Sequence, residues 1–262
     1  MGRLGVLGWP VAHSRSPAIH AAAFAALGLE GWRYQRLPVP PELFAETVRA
    51  LPAAGFAGAN VTVPHKEAAL ALADSATPAS REIGAANTLS FEASGAIAAD
   101  NTDAPGLIAA LPADVAGRSA LVLGAGGSAR AAVYALLHAG ASEVAVLNRT
   151  PERARALVEA LGGRLATRAE PADLLVNCTS VGLDDAAALP LAPAALDGVG
   201  AVVDLVYRDG GTALVRAARE RGLPNADGLE VLVQQGARSF EIWTGRAAPV
   251  DAMREAAYSG TR

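Results

Sequence analysis

Residues 119–129 read Ser-Ala-Leu-Val-Leu-Gly-Ala-Gly-Gly-Ser-Ala, an apolar run that passes directly into a glycine-rich loop. The run predicts a buried strand over residues 119–123, and the alanine-rich stretch behind the loop predicts a helix over residues 129–139. Glycines at such a turn let the backbone approach a pyrophosphate, and the first amides of the helix add unpaired donors and a partial positive charge. A glycine loop alone can be a simple turn, but its place between a strand and a helix favours a dinucleotide-binding site.

The next predicted strand, over residues 143–147, completes a βαβ unit of about 30 residues. Asn148, Arg149 and Thr150 follow it, and Arg153 lies one helical turn further on. Enzymes that use NAD usually carry an acidic residue near this point to bind the ribose hydroxyls, but none occurs here before Glu152. Guanidinium groups suit a ribose 2′-phosphate. The segment therefore favours NADP over NAD, with a solvated helix start as the alternative.

The rest of the chain alternates short apolar stretches with alanine-rich ones. Strands are predicted over residues 4–7, 32–37, 59–63, 174–177 and 201–205, and helices over residues 17–28, 41–51, 66–74 and 229–243. Ser16 is predicted to cap the first of these helices. Two short strands, 88–91 and 96–99, predict a hairpin around a serine–glycine turn. The alternation predicts an α/β fold with a mostly parallel sheet.

Composition narrows the class of protein. Hydrophobic residues make up 52% and aromatic residues only 5% of the 262 residues, so the core must be aliphatic, as in parallel α/β layers. No apolar run reaches the roughly 18 residues of a membrane span, and the N-terminal apolar stretch is too short for a signal peptide. One cysteine, and four histidines without carboxylates at ligand spacing, argue against a disulfide framework and a metal site. These three observations lead us to expect a cytoplasmic protein. A net charge of -4 without a basic cluster argues against nucleic acid and leaves a small-molecule substrate as the expected partner.

Residues 60–66 read Asn-Val-Thr-Val-Pro-His-Lys and place a hydroxyl and an amine at the end of a predicted strand. In open α/β sheets, ligands bind at this carboxyl edge. Asn101-Thr102-Asp103 supplies a carboxylate before the glycine loop begins. A lysine within hydrogen-bond reach of a carbonyl can deliver a proton during its reduction, and a carboxylate can orient that lysine. Lys66 and Asp103 are therefore a candidate acid–base pair, with an interdomain salt bridge as the alternative.

Ser14 and Ser16 form a second candidate site near the N-terminus. Two hydroxyls and the free amides of a helix start can hold a carboxylate. Ser16 before Pro17 is equally an ordinary helix cap. The residues by themselves leave both interpretations open.

Motifs along nearly the whole chain resemble those of the shikimate dehydrogenase family. They are G-W-P-V-A-H-S-R-S-P-A-I-H at 8–20, N-V-T-V-P-H-K at 60–66, G-A-A-N-T at 84–88, N-T-D at 101–103, G-A-G-G-S-A-R at 124–130, N-R-T at 148–150, N-C-T-S-V-G at 177–182, D-L-V-Y at 204–207 and Q-G-A-R-S-F-E-I-W-T-G at 235–245. The motifs occur in the order of the family. The resemblance implies NADP-dependent reduction of 3-dehydroshikimate to shikimate, in the biosynthesis of chorismate and the aromatic amino acids.

The resemblance also implies two α/β domains with a cleft between them. Residues 1–102 are expected to form a substrate-binding domain with a mostly parallel sheet, and residues 103–231 a Rossmann-type NADP-binding domain. Residues 232–262 are expected to form helices that return to the substrate domain. The protein is expected to be a monomer or a homodimer.

The same resemblance assigns roles to individual residues. Lys66 and Asp103 match the catalytic pair, which also contacts the substrate. Further residues match those that bind the substrate, namely Ser14, Ser16, Thr62, Asn87, Tyr207 and Gln235. A third group matches the phosphate loop, namely Gly124, Ala125, Gly126, Gly127 and Ser128. A fourth matches the adenosine 2′-phosphate site, namely Asn148, Arg149, Thr150 and Arg153. A last group falls where the family lines the ribose and nicotinamide pocket, namely Thr179, Val181, Val206 and Gly228.

Three short segments depart from the family pattern. Ala104-Pro105 stand where glycine is common, Leu183 stands where methionine is common, and Arg208-Asp209-Gly210 replace a segment that usually carries proline. The alternatives are a quinate/shikimate dehydrogenase with relaxed substrate and cofactor use, and a regulator that senses NADP without catalysis. The pair Ser14 and Ser16 and the arginines at 149 and 153 favour the strict shikimate and NADP type over the relaxed one. The retained Lys66 and Asp103 argue against the regulator.

Overall fold

The computed structural model describes residues 2–259, and the last residues of the predicted segment 232–262 lie outside this range. The described chain divides into two compact units. The first contains residues 2–102 and 235–259, and the second contains residues 103–234.

The first unit contains six strands, four helices that precede the second unit, and the C-terminal helical segment. Its elements up to residue 102 are β1 (Gly2–Gly8), α1 (Ser16–Ala26), β2 (Trp32–Pro38), α2 (Phe44–Ala50), β3 (Phe56–Val61), α3 (Lys66–Leu72), β4 (Ser75–Ala76), α4 (Pro78–Ile83), β5 (Thr88–Phe91) and β6 (Ile97–Asp100). The strands form one sheet in the order β2-β1-β3-β5-β6-β4. The pairs β2-β1, β1-β3 and β6-β4 are parallel, whereas β3-β5 and the hairpin β5-β6 are antiparallel.

The second unit is a parallel sheet with helices between its strands. Its elements are α5 (Asp103–Ala110), β7 (Ser119–Leu123), α6 (Gly127–His138), β8 (Glu143–Leu147), α7 (Pro151–Leu161), β9 (Arg164–Leu165), β10 (Ala172–Asn177), β11 (Val199–Asp204), α8 (Ala213–Glu220) and β12 (Asn225–Ala226). Two helices follow, α9 (Gly228–Thr244) and α10 (Val250–Tyr258). α9 begins in the second unit and ends in the first.

The strand order of the second unit is β12-β11-β10-β7-β8-β9. The chain runs outward from β7 to β9 on one side and then from β10 to β12 on the other. The direction therefore reverses between β7 and β10, and ligands of open α/β sheets bind at the carboxyl ends of the strands at such a switch point.

Both faces of this sheet are buried, as its unbroken apolar strands require. Val122 and Val146 belong to an apolar cluster with Leu136 of α6. Leu121 belongs to a separate apolar cluster with Leu214 of α8. Consecutive side chains of one strand therefore pack on opposite faces of the sheet.

The core of the first unit contains a buried histidine. His20 of α1 is fully buried and stacks on Tyr34, with a ring-centroid distance of 4.2 Å and an angle of 4° between the rings. Phe240 and Trp243 of α9 lie beside it, at 6.4 and 5.8 Å. Within residues 2–259 neither ring nitrogen of His20 has a hydrogen-bond partner. Among the described residues the ring is therefore held by packing, largely against aromatic side chains, and not by hydrogen bonds.

The sequence predicted the longer strands and the helices α1, α2, α3, α6 and α9 to within a few residues, but it was wrong about the cap of α1. Ser16 is the first helical residue, Arg15 occupies the cap position, and the helix has no side-chain cap. No bounds were predicted for the helices α4, α5, α7 and α8 or for the short strands β4, β9 and β12. Within residues 2–259, no helix combines the length and hydrophobicity that a bilayer crossing demands.

Candidate active site

The Ser14 and Ser16 hydroxyls lie together at the start of α1. Ser14 Oγ donates to Ser16 Oγ at 3.2 Å and accepts from the Ser16 amide at 3.3 Å. Arg36 fixes the backbone at this point, because its Nε and Nη2 donate to the Ser14 carbonyl at 2.9 and 2.6 Å. Both serines are buried. The two hydroxyls form a polar pair rather than a helix cap.

The segment that ends in Lys66 lies beside the loop that leads to these serines. The Thr62 amide donates to the Leu7 carbonyl at 2.8 Å, and the Trp9 amide donates to the Val63 carbonyl at 3.0 Å. A side chain on Gly8 would overlap the Thr62 methyl group, so glycine is required at that approach. Because β1 and β3 are parallel neighbours, their following loops share the carboxyl edge of the sheet.

Lys66 is the first residue of α3 and is only 9% exposed. Its carbonyl accepts from the Ala86 amide at 2.9 Å, which places the start of α3 beside Asn87. The neighbouring His65 has another role. It is buried, its Nε2 lies 2.7 Å from the Val39 carbonyl, and its ring stacks on Phe44 at 4.4 Å. His65 is therefore a packing residue.

Asn87 connects three parts of the first unit. Its Nδ2 donates to Thr102 Oγ1 at 2.9 Å and to Gln235 Oε1 at 3.2 Å. Its Oδ1 accepts from the Thr102 amide at 2.7 Å. Asn87 and Thr102 are fully or almost fully buried, and Gln235 is 7% exposed. The amide side chains of Asn87 and Gln235 are therefore held in a fixed arrangement.

A buried network supports this arrangement through residues to which the sequence assigned no role. Asn60 Nδ2 donates to Ser239 Oγ at 2.9 Å, and Tyr34 Oη donates to Asn60 Oδ1 at 2.7 Å. Ser239 Oγ in turn donates to the Gln235 carbonyl at 2.9 Å. Buried polar networks stabilise one arrangement because an unsatisfied member is costly. The available signal was a polar residue, Asn60, inside an otherwise apolar strand.

The glycine loop of the second unit lies at the switch point between β7 and β10. Gly124 has φ +109° and its backbone approaches Cys178 so closely that a side chain there would lie 3.2 Å from the Cys178 carbonyl. The Gly124 amide also donates to the Leu147 carbonyl at 2.8 Å. A side chain on Gly126, in contrast, would meet open space. The first turn of α6 therefore leaves room for a phosphate group at its amides.

The two arginines predicted to bind a 2′-phosphate lie next to this loop. Arg149 follows β8, and Arg153 lies in the first turn of α7. Both side chains are exposed, and within the described part of the chain neither guanidinium has an ion-pair partner. Asn148 Nδ2 donates to the Thr150 carbonyl at 2.9 Å and stabilises the turn that contains Arg149. The arrangement suits a dianion at the edge of the glycine loop.

The loops after β10 and β11 are tied together around Asp204. The Asp204 side chain accepts from Asn177 Nδ2 at 2.8 Å, and Asn177 Oδ1 accepts from Thr179 Oγ1 at 2.7 Å. Arg208, one of the departures from the family pattern, donates to the Gly182 and Leu183 carbonyls and connects the same two loops. A side chain on Gly228 would overlap the backbone of the second of these loops.

The candidate residues fall into two groups by unit. The first unit holds Ser14, Ser16, Thr62, Lys66, Asn87 and Gln235. The second unit holds Asp103, Tyr207 and every residue predicted to bind the cofactor. No group of three or more His, Cys, Asp or Glu side chains among residues 2–259 is placed to hold a metal ion.

A glycine loop at the switch point of a parallel sheet, together with a buried lysine beside Asn87 in a separate α/β unit, is the arrangement of a nucleotide-dependent α/β dehydrogenase. Comparison with known proteins makes the assignment specific. Profiles described as "Shikimate dehydrogenase substrate binding domain", "Shikimate / quinate 5-dehydrogenase" and "Shikimate 5'-dehydrogenase C-terminal domain" match residues 6–89, 108–181 and 228–258.

Full-length relatives agree with these profiles. The chain is 48% identical to the shikimate dehydrogenase (NADP(+)) of Methylobacterium radiotolerans, over 93% of this chain and 91% of the relative. It is also 48% identical to that of one strain of Thermus thermophilus, over 98% of both. A crystal structure of shikimate 5-dehydrogenase from a second strain of Thermus thermophilus, in complex with NADP(H) and shikimate, superposes with a TM-score of 0.91, at 46% identity over 99% of both chains. The chain belongs to the shikimate dehydrogenase family.

Proposed function

We propose that this chain catalyses the reversible, NADPH-dependent reduction of 3-dehydroshikimate to shikimate, a step of chorismate and aromatic amino acid biosynthesis. Membership of the family and the similarity to a relative crystallised with NADP(H) and shikimate support this activity. The observation that carries the mechanism is the placement of Lys66.

Lys66 is the only lysine in the sequence, since arginine supplies the other 21 of the 22 basic residues. A guanidinium keeps its proton at any physiological pH, whereas an ammonium can give up its proton when its surroundings change. The one lysine lies at a buried position next to Asn87, where the proposed reaction needs an exchangeable proton. This is the composition expected if Lys66 transfers a proton.

In the proposed reaction, Lys66 is the acid. NADPH, when bound, supplies the hydride to the C3 carbonyl carbon of the substrate. The Lys66 ammonium gives its proton to the carbonyl oxygen, which becomes the hydroxyl, and the neutral amine accepts that proton in the reverse direction. The Asp103 carboxylate orients Lys66 and the substrate in this proposal.

The first unit provides the proposed substrate site. The paired hydroxyls of Ser14 and Ser16 suit the substrate carboxylate, because each hydroxyl and the amides of the α1 start can donate to it. The remaining residues contact the hydroxyls and carboxylate of the substrate in this proposal, namely Thr62, Asn87, Tyr207 and Gln235.

The second unit provides the proposed cofactor site, and its residues fit NADP. The open space at Gly126 suits a pyrophosphate beside Ala125, Gly127 and Ser128, and the two exposed arginines suit the 2′-phosphate beside Asn148 and Thr150. Thr179, Val181, Val206 and Gly228 are proposed to contact the ribose and nicotinamide.

Two matched variants test the role of Lys66. Lys66→Arg keeps a positive charge but holds its protons at any physiological pH, whereas Lys66→Ala removes both the charge and the proton donor. We expect both variants to lose about 10²–10⁴-fold in kcat for shikimate oxidation with NADP, the usual contribution of a positioned acid–base group. The arginine variant should keep the KM for shikimate closer to that of the wild type. A kcat within a few-fold of the wild type in Lys66→Arg would remove proton transfer by lysine from the mechanism.

The same assay separates the alternative functions. Comparable kcat/KM for quinate and shikimate, or for NAD and NADP, would indicate the relaxed quinate/shikimate type. No oxidation of shikimate by pure protein that still binds NADP would indicate a regulator. The proposal includes a cytoplasmic location and a monomer or homodimer, which cell fractionation and analytical ultracentrifugation would check.

A further inference from the structure

Asp204 is a fully buried carboxylate at the carboxyl end of β11, and the proposed chemistry does not use it. It accepts three hydrogen bonds, from Asn177 Nδ2 at 2.8 Å, the Val206 amide at 3.0 Å and Thr212 Oγ1 at 2.6 Å. A buried charge is costly unless such partners satisfy it. The three donors come from three segments, so the carboxylate joins the end of β10, the loop after β11 and the start of α8.

The hydrogen bonds continue from Asp204 into the loop after β10. Asn177 Oδ1 accepts from the Thr179 amide at 3.1 Å and from its hydroxyl at 2.7 Å. Thr179 Oγ1 then accepts from the Val181 amide at 3.1 Å. The backbone of this loop is therefore fixed through a chain of bonds that begins at the carboxylate.

The loop that these hydrogen bonds hold lies at the proposed cofactor site. The loop begins at Cys178, where the Gly124 backbone approaches closely, so it lies at the switch point beside the phosphate loop. Val181 is 36% exposed there, which is high for a large apolar side chain. Val206, whose amide bonds directly to Asp204, belongs to the neighbouring loop. Both loops are placed where the half of a dinucleotide beyond its pyrophosphate would lie.

We propose that Asp204 is a positioning residue for NADP, which sets the two loops at residues 178–181 and 205–207 in the shape that receives the nicotinamide half. The inference rests on the proposed function, because it assumes that the switch point binds NADP. Burial raises the pKa of Asp204 to about 6, against the lowering effect of its bonds to Thr212, Val206 and Asn177. At neutral pH the group is therefore an ionised acceptor for all three donors.

Asp204→Asn tests the carboxylate with almost no change of size. One side-chain oxygen remains to accept from Asn177 and Val206, but an NH₂ group then faces the Thr212 hydroxyl. Thr212 Oγ1 already accepts from the Val215 amide at 3.2 Å as the cap of α8, so its own proton loses its acceptor. Thr212→Val removes the same bond from the other side, whereas Thr212→Ser can keep it.

The experiment compares two ligands by isothermal titration calorimetry, NADP and adenosine 2′,5′-bisphosphate, which lacks the nicotinamide half. We expect Asp204→Asn and Thr212→Val to raise the Kd for NADP about tenfold, the equivalent of about 1.4 kcal/mol. The Kd for adenosine 2′,5′-bisphosphate should stay within about twofold, and Thr212→Ser should restore NADP binding. A general loss of structure would weaken both ligands together.

The matched control is Asp173→Asn, the same change near the amino end of the neighbouring strand β10, where Asp173 accepts from the Ser119 amide and hydroxyl. It should leave both Kd values unchanged. Unchanged NADP binding in Asp204→Asn, or an equal loss for both ligands in Asp204→Asn and Thr212→Val, would overturn the inference. Failure of the wild type to bind NADP would instead overturn the proposed function.

Discussion

The buried His20 should make the stability of the first unit fall steeply in mild acid. Burial lowers the pKa of His20 from 6.5 to about 3, because the charged ring would lose its hydration among aromatic side chains. Below pH 6.5 the unfolded chain binds a proton at this position and the folded chain does not. Stability from the neutral ring is therefore complete above pH 6.5 and is lost as the pH falls toward 3.

The size of the effect follows from the two pKa values. Each pH unit below 6.5 costs the folded state about 1.4 kcal/mol, until the native pKa is reached. Between pH 7 and pH 5 the free energy of unfolding should therefore fall by about 2 kcal/mol through His20 alone. His20→Phe removes this contribution and keeps an aromatic ring against Tyr34. The larger ring can shift stability by a constant amount at all pH values, so the test is the difference between the two pH dependences.

Urea unfolding at pH 7 and pH 5, followed by tryptophan fluorescence, would measure the change in the free energy of unfolding of the wild type and of His20→Phe. The three tryptophans, Trp9, Trp32 and Trp243, all lie in the first unit, so the signal reports the unit that contains His20. The wild type should lose about 2 kcal/mol more than His20→Phe over this range. The exposed His138 supplies the control, since His138→Phe in the second unit should leave the wild-type pH dependence of this signal intact. Equal losses in the wild type and His20→Phe would refute the reasoning.

Two further predictions concern the cofactor site and the buried network. Replacing Arg149 and Arg153 by alanine together should raise the KM for NADP by about 10–100-fold and leave the KM for NAD nearly unchanged, because charged hydrogen bonds of about 1.5–3 kcal/mol are lost. Steady-state kinetics would check this, with the exposed Arg155→Ala on the same helix as control, and equal effects on both cofactors would contradict it. Ser239→Ala should lower the free energy of unfolding of the first unit by about 1–3 kcal/mol, because Asn60 loses a buried acceptor. The exposed Ser94→Ala should change it by less than about 0.5 kcal/mol, and a similarly small change in Ser239→Ala would argue against the network.

The sequence predicted the parts of the fold that depend on local pattern. The apolar run before the glycine loop and the alanine-rich run after it became β7 and α6 because both strand faces and one helix face are buried there. Helix α4 was not predicted, although Thr77 caps it and Gly84 ends it in a left-handed conformation, because six residues carry too little periodicity. Ser16 was misread as a cap because its hydroxyl pairs with Ser14 instead.

The sequence predicted the candidate-site residues that belong to short motifs. It did not predict the residues that support the site through contacts between distant parts of the sequence. Three features can be recognised from the linear sequence alone: the glycine loop, the arginines after β8 and the segment that ends in Lys66. The support for Gln235 cannot be recognised in this way, because Ser239 meets Asn60 across 179 positions of sequence. Asp204 lies at the end of an apolar run, and from this position its burial could be predicted. The three groups that donate hydrogen bonds to it could not.

Because the only lysine is buried at the start of α3, cleavage by a lysine-specific protease would report the opening of this part of the first unit. Such an enzyme has a single peptide bond to cut, the one after Lys66, which would release residues 1–66 from residues 67–262. Lys66 is buried at the first residue of a helix in the native first unit, so the bond becomes accessible only when that part of the unit opens. The rate of this one cleavage would therefore measure how often the segment around Lys66 opens, without any label or substitution.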